Sequence, residues 1–417
     1  MSEASTDSTA TRYRFVLCAA TLTMLVGSWP LWADDGPFPR VPFFLGWPKA
    51  GILAPLLRAG MIAGLLLAAI GVVPRRSLAV ALVLMTSLIL GDQHRFQPWA
   101  YQFLLIGLAL AVAPAAEALV FARWCLIALY AHSALSKIDF SFCDELGQTF
   151  LQTSLRPFGL RPELWSPTAR IVAALTMPGA ELLVAACLAC RKTRRAGLVG
   201  AIAVHLGLLT VLGPLGLNHS ANVLIWNGSM IAQDLLIFGP GCFLIGPAER
   251  RFSFLPIRVV LYASMLLPFG ERFGLFDTWP SHAVYASHAE RTEVAVAADD
   301  ANRLPDSLGR HLGRDEMGDF RALDLAGWSL AERGTPLYPQ NRAWHGVAVA
   351  LAERDEILVR VIHRGRASAL SGRRDSIILT GREMLRDGWK GSWLNAMPSP
   401  ASVSEPHRMP RPELPRD

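Results

Sequence analysis

The chain has 417 residues, of which 52% are hydrophobic and 18% charged, with a mean hydropathy of +0.32. That composition excludes an ordinary soluble protein of this size and points to a polytopic membrane protein. The formal net charge of +6 does not indicate nucleic acid, because the basic residues gather in short clusters between apolar runs, at Arg75-Arg76, residues 191–195 and Arg250-Arg251. Loops on the cytoplasmic side of a membrane protein have that distribution.

Residues 1–14 are small and polar and are expected to be disordered. The apolar run at 16–32 has spanning length. No A-x-A site follows it and acidic residues precede it, so it reads as a retained anchor rather than a cleaved signal peptide. A Pro-, Gly- and Trp-rich loop at 34–49 follows. Further apolar segments run over 52–73, 77–91, 99–113, 116–137, 169–190, 196–217, 221–245 and 254–269. The expectation is an all-α bundle of eight or nine transmembrane helices over 15–270. A cytoplasmic amino terminus puts all three basic clusters inside and the region after the ninth span outside, in a bacterial inner membrane.

From residue 271 the composition becomes that of a soluble module. Alternating strand-like runs at 293–298 and 356–363, then 376–380 and a helix-like 383–387, predict a small extracytoplasmic α+β domain over 271–397. A proline-rich tail at 398–417 is expected to be disordered. No internal repeat is visible, which weakens a transporter reading. Most cysteines fall in apolar segments, so no disulfide framework is indicated; Cys187-Leu-Ala-Cys190 has redox spacing but ends an apolar helix, where it reads as small-residue packing, and the scattered histidines form no pair with zinc spacing, so no metal site is expected.

Candidate site residues collect at one end of this bundle. Segments 77–91 and 99–113 are each fifteen residues, about 22 Å as helix against a hydrocarbon slab of about 30 Å. The hairpin between them, carrying Asp92, His94, Arg95 and Gln97, can therefore sink below the membrane surface, inside protein or beside a wet cavity. Trp99 and Tyr101 after it suit interfacial anchors. The fifth segment brings Lys137 and Asp139 out on the same side, with Tyr130, Ser133 and Lys137 on one helical face and His132, Ser136 and Asp139 on the next. A charge at bilayer depth costs about 2.5–3.5 kcal/mol, so such residues face a cavity or a partner. A desolvated lysine there could serve as a general base with His132 and Asp139 setting its pKa; alternatively it snorkels and pairs with Asp139.

Glu181 and His205 lie on antiparallel helices, each about 13 Å from the basic loop at 191–195. They could hydrogen-bond to each other, as a packing pair or a proton relay. The eighth segment carries His219, Asn222, Trp226, Asn227, Gln233 and Asp234 on one face, which should point at the bundle interior.

The succession Asp92-Gln93, Gln97, Tyr101, Ser136-Lys137-Ile138-Asp139, Glu181 and His205 resembles the membrane domain of vitamin K-dependent gamma-carboxylases and the related HTTM group, over roughly residues 56–269. The resemblance implies that Lys137 is the catalytic base, that a reduced quinone takes part, and that a domain follows on the far side of the membrane. Ser136 stands where that family has the first lysine of Lys-Lys-Leu-Asp, and the domain after the membrane is far smaller, which argues against carboxylation of a peptide. Membrane proteins of the DoxX and MauE type are a more distant comparison.

Two readings follow. In one, an enzyme acts on a lipophilic quinol with Lys137, His132 and Asp139 at its catalytic centre. Asp92, His94, Arg95, Gln97, Trp99, Tyr101, Glu181, His205, His219 and Asn222 then surround the substrate. In the other, a non-catalytic anchor or binding protein presents its external domain. In both the lipid bilayer is the partner.

Overall fold

The computed structural model describes residues 3–33, 36–48, 51–239, 255–316, 318–354, 356–389 and 394–399. Helices α1 (Glu3–Gly27), α2 (Trp29–Ala33), α3 (Ala54–Ile70), α4 (Pro74–Gly91), α5 (Pro98–Val112) and α6 (Ala115–Leu135) open the chain. Helices α7 (Phe140–Asp144), α8 (Leu146–Leu155), α9 (Pro167–Ala189), α10 (Arg194–Leu212), α11 (Ala221–Phe238) and α12 (Leu255–Leu266) complete the helical part. Local chemistry sets several boundaries. Proline occupies the first helical position of α4, α5 and α9, where the missing N–H costs nothing. The Ser166 hydroxyl caps α9 by accepting from the Ala169 N–H. Gly71 ends α3 in the left-handed region, at φ 85°.

Four helices, α4, α6, α9 and α10, are long and apolar enough to cross a membrane; α3 and α5 are apolar but shorter. The expected count of eight or nine spans is thus not reached among the described residues. Hydropathy runs continue through turns, whereas helices stop at them: the run 52–73 gives only the 17 residues of α3. Residues 240–254, with the Arg250-Arg251 loop, and the tail from 400 lie outside the described residues. The first dozen residues, expected to be disordered, are helical from Glu3. Tyr13 is fully buried and its hydroxyl donates to Gln233 Oε1 at 2.8 Å, and Arg14 Nε donates to the Ala68 carbonyl. Docking on α11 and α3 extends the first helix into its polar start.

Helix α6 is the hub. Buried residues make up 72% of its apolar window, against 39% or less in the other three spanning helices, so other elements enclose it on most sides. It packs against α1, α5, α9, α11 and α12.

The C-terminal part forms a small sheet domain. Strands β1 (Arg291–Ala297), β2 (Leu312–Glu316), β3 (Phe320–Leu323), β4 (Val359–Arg364) and β5 (Ser376–Thr380) make an antiparallel sheet in the order β2-β3-β1-β4-β5. Helix α13 (Asp306–Gly309) precedes β2, α14 (Leu325–Arg333) and α15 (Asn341–Arg354) lie between β3 and β4, and α16 (Arg382–Asp387) follows β5. Burial alternates along β4, as expected of a sheet with one face on a core. That core includes Val294, Val296, Trp328, Val347, Leu351, Val359 and Val361, and also Phe38 and Val41 from the loop between α2 and α3.

The sheet domain is fastened to the bundle through the turn at residues 92–97. Gln93 Nε2 donates to the carbonyls of Pro42 and Asn395, and its Oε1 accepts from Arg342 Nε at 2.9 Å. Arg333 stacks on Phe38 with its guanidinium 3.7 Å from the ring centroid, and its Nη1 stands 3.8 Å from Asp92 Oδ2. His94 Nδ1 accepts from the Tyr338 N–H, and Gln97 Nε2 donates to the His94 and Pro336 carbonyls. Irregular backbone between α4 and the shorter α5 is covered by protein, which is how such backbone is tolerated near a membrane.

A second fastening lies beyond the end of α6. Asp139 accepts from the Phe142 N–H, from Arg272 and from His288 Nδ1 at 2.8 Å, while His288 Nε2 contacts Glu271 Oε2 at 2.9 Å and Arg366 pairs with Glu271. Burial opposes charge on His288, but its hydrogen bonds to Asp139 and Glu271 outweigh burial and raise its pKa. Burial likewise opposes ionisation of Asp139 and Glu271, and the hydrogen bonds from His288, with the neighbouring arginines, lower theirs. The carboxylate contribution is present above the ordinary carboxylate range and is lost as pH falls through the depressed values. The imidazolium contribution is present below the ordinary histidine range and is lost as pH rises through the raised value.

Thermal unfolding should therefore peak between about pH 4.5 and 6.5 for the part of stability due to this cluster. His288→Ala should flatten that dependence and cost roughly 3–5 kcal/mol, the usual penalty for unpairing buried charges. Gln93→Ala, which abandons three buried partners, should cost about 1–3 kcal/mol and open residues 394–399 to limited proteolysis. An unchanged melting temperature and digestion pattern would show that the turn does not hold the sheet domain.

Candidate functional site

A cavity of about 330 Å³ opens where α6, α9, α10 and α11 face the sheet domain. Its bundle side is lined by Tyr130, Ser133, Lys137, Glu181, His205, His219, Trp226 and Asn227, and its other side by Trp279, Tyr285 and residues 335–337 and 339. The volume falls in the range of small-molecule sites, and the wall is mostly apolar with a few convergent polar groups, as such sites are.

Lys137 lies in that wall but does not meet Asp139 or His132. Its ammonium donates to both oxygens of Glu181 at 2.8 Å and to Ser133 Oγ at 2.8 Å, and the Ser133 hydroxyl donates to Glu181 Oε2 at 3.0 Å. One turn of α6 sets Ser133 beneath Lys137, and α9, packed on α6, supplies Glu181. The side chains of Lys137 and Glu181 are only 6% and 12% exposed, so the charges need each other. So engaged, the Lys137 nitrogen spends its hydrogens within this cluster.

Asp139 instead serves the His288 cluster. His132 Nε2 donates to the Met265 carbonyl at 2.9 Å and its ring packs edge-on against Phe269, away from Lys137. Glu181 does not bond to His205, whose Nε2 meets Tyr130 Oη at 2.7 Å and whose Nδ1 meets Asn227 Oδ1 at 2.9 Å. Of the remaining candidates, Gln97, Trp99, His219 and Asn222 line the cavity, whereas Asp92, His94, Arg95 and Tyr101 do not. Arg95 is buried and donates to the Leu31, Trp32 and Leu88 carbonyls, and Tyr101 packs against Phe96 and His282. Burial and the Arg333 guanidinium lower the pKa of His94, which suits its place as an acceptor at the seam. Asn222 Nδ2 donates to the Met24 carbonyl, and Gly27 makes this approach possible: a Cβ there would stand 2.2 Å from Asn222 Oδ1.

The polar stripe on α11 faces the interior. Trp226 Nε1 donates to Gln102 Oε1 at 2.7 Å, Gln233 Oε1 accepts from Tyr13 and Gln102, and Asp234 Oδ2 lies 2.6 Å from Tyr130 Oη. Tyr130 stood on the predicted face with Lys137 yet was not singled out, because a tyrosine in an apolar helix gives no signal of its own. The contribution of the sheet domain to the wall, at Trp279, Tyr285 and Thr335, had no sequence signature. The hydroxyls of Ser220 and Thr335 and the Trp99 indole N–H, all on lining residues, are buried without a hydrogen-bond partner.

Residues 109–220 match the family model of the methylamine utilisation protein MauE. This stretch contains Tyr130, Ser133, Lys137, Glu181, His205 and His219, hence most of the polar wall of the cavity. The match replaces the resemblance to gamma-carboxylases and HTTM proteins, which rested on short polar runs in order. A bundle with charged residues near corresponding helix ends reproduces such an order without kinship. No curated protein and no solved structure matches the chain. Over its central helices, then, this membrane chain is similar to MauE.

Proposed function

We propose that this integral membrane protein binds a lipophilic molecule with an aromatic or quinone-like head in the cavity beneath the sheet domain. The observation that carries the reading is the placement of the buried Lys137–Glu181 pair in the wall of an otherwise apolar, tryptophan-rich cavity. In this reading Lys137 exchanges one of its two hydrogen bonds to Glu181 for one to an oxygen of the head, Trp99, Trp226 and Trp279 stack on its ring, and the tail leaves between the helix ends toward lipid. Basic residues at Arg75-Arg76 and 191–195 lie at the bundle end opposite the sheet domain, which by the positive-inside rule supports an extracytoplasmic face for the cavity and that domain in this reading.

A second reading, a membrane anchor that presents the sheet domain, is favoured by the dense bonding at residues 92–97. It makes the Lys137–Glu181 pair a packing device. Replacing both partners by methionine (Lys137→Met with Glu181→Met) leaves no unpaired charge and so preserves folding. If the cavity binds through Lys137, a short-chain benzoquinone should quench tryptophan fluorescence in the wild-type protein and bind the double variant about 10- to 100-fold more weakly, the worth of a charged hydrogen bond. Equal quenching in both proteins would leave the anchor reading standing.

A further inference from the structure

The polar atoms immediately behind the cavity wall constrain where their hydrogens can sit. Asn227 Nδ2 donates to the Val223 carbonyl at 2.8 Å, and a carbonyl can only accept, so Asn227 Oδ1 is the atom that faces His205 Nδ1. His205 Nδ1 must therefore carry a hydrogen. Its other nitrogen, Nε2, lies 2.7 Å from Tyr130 Oη, and the same hydroxyl lies 2.6 Å from Asp234 Oδ2. If Asp234 were ionised and His205 neutral, two acceptors would compete for the single Tyr130 hydrogen, and one of these short contacts would have no hydrogen in it.

Adding one proton resolves this in either of two arrangements. In one, Asp234 is a carboxylic acid that donates to Tyr130, and Tyr130 donates to His205 Nε2. In the other, Asp234 is ionised and accepts from Tyr130, and a doubly protonated His205 donates to Tyr130. The two differ only by a shift of hydrogens along the chain of three groups. Asp234 is 0% exposed and its Oδ1 has no partner, so a lone carboxylate in this apolar interior would be strongly disfavoured. Around the triad, Tyr13 from α1 spends its hydroxyl on Gln233, and Lys137 and Glu181 satisfy each other.

We propose that Asp234, Tyr130 and His205 form a one-proton store in the cavity wall, which hands its proton to an anionic oxygen, such as a phenolate, on the bound head. The inference rests on the cavity reading above. In the transfer, the Tyr130 O–H bond breaks as an O–H bond forms on the ligand, and Tyr130 Oη takes up the stored proton from Asp234 or from His205 Nε2. Asp234 is left as a carboxylate held by the Tyr130 hydroxyl, and the new ligand O–H donates to Tyr130 Oη. Tyr130 and His205 line the cavity and Asp234 stands behind them, so Tyr130 is the link between the buried acid and the site.

Two measurements on the full chain in detergent test this. Infrared difference spectra between wild type and Asp234→Asn at neutral pH should show a deuterium-sensitive carboxylic acid band, or else nitrogen NMR should show doubly protonated His205. An ionised Asp234 beside a singly protonated His205 overturns the store. In the second measurement an alkyl-substituted nitrophenol is added at a pH where the free probe is the coloured phenolate. The wild-type protein should quench its tryptophan fluorescence and bleach the probe, while Tyr130→Phe and Asp234→Asn should bind it and lower the bleached fraction by about tenfold, equivalent to one pKa unit. Equal bleaching in the variants overturns the proton transfer. Absence of quenching by the wild type overturns the cavity reading and this transfer with it, while the infrared result still decides whether the proton is there.

Discussion

The turn at residues 92–97 follows one helix of 18 residues and precedes another of 15, and much of the architecture follows from satisfying its polar groups. Near a membrane, irregular backbone and buried side chains such as Gln93 and Arg95 are tolerated only with protein partners. Those partners are the loop after α2, the Arg333 and Arg342 side chains of the sheet domain, and the segment at Asn395. Because the turn requires them, the sheet domain is held against the bundle end, and a cavity closes beneath it.

The same rule orders the interior. Several polar side chains that face inward from α6, α9, α10 and α11 have their partner on another helix: Lys137 with Glu181, Tyr130 with Asp234 and His205, Trp226 with Gln102. Such bonds fix helix rotation and depth where lipid tails compete equally with apolar packing. They also give the bundle an axis of polarity that runs from Tyr13 and Gln233 through Asp234 to the cavity wall, so the features that specify packing are also those with chemistry to offer.

Comparison of His132 with Lys137 shows how far position along a helix carries an argument. Both stand near the end of α6 in an apolar run, yet His132 is committed to a backbone carbonyl on the far side and Lys137 to a carboxylate in the cavity wall. Helical periodicity placed them on neighbouring faces. What lies opposite each face depends on which helices pack there, α12 in one case and α9 in the other.

By itself the sequence determined the membrane character, the sheet after the last helices, and the grouping of Lys137, His219 and the turn at one end, because hydropathy, alternation and loop charge are local properties of the chain. It also drew attention to Glu181, His205 and the α11 stripe, since polar groups in apolar helices are costly wherever they fall. Only the tertiary structure decided the pairings. Glu181 met Lys137 rather than His205, Asp139 went to His288, and the turn residues Asp92, His94 and Arg95 became a fastening rather than a lining, because partners are chosen by helix rotation and by the seating of the sheet domain. Both are set by contacts between residues far apart in the chain, on which local periodicity is silent.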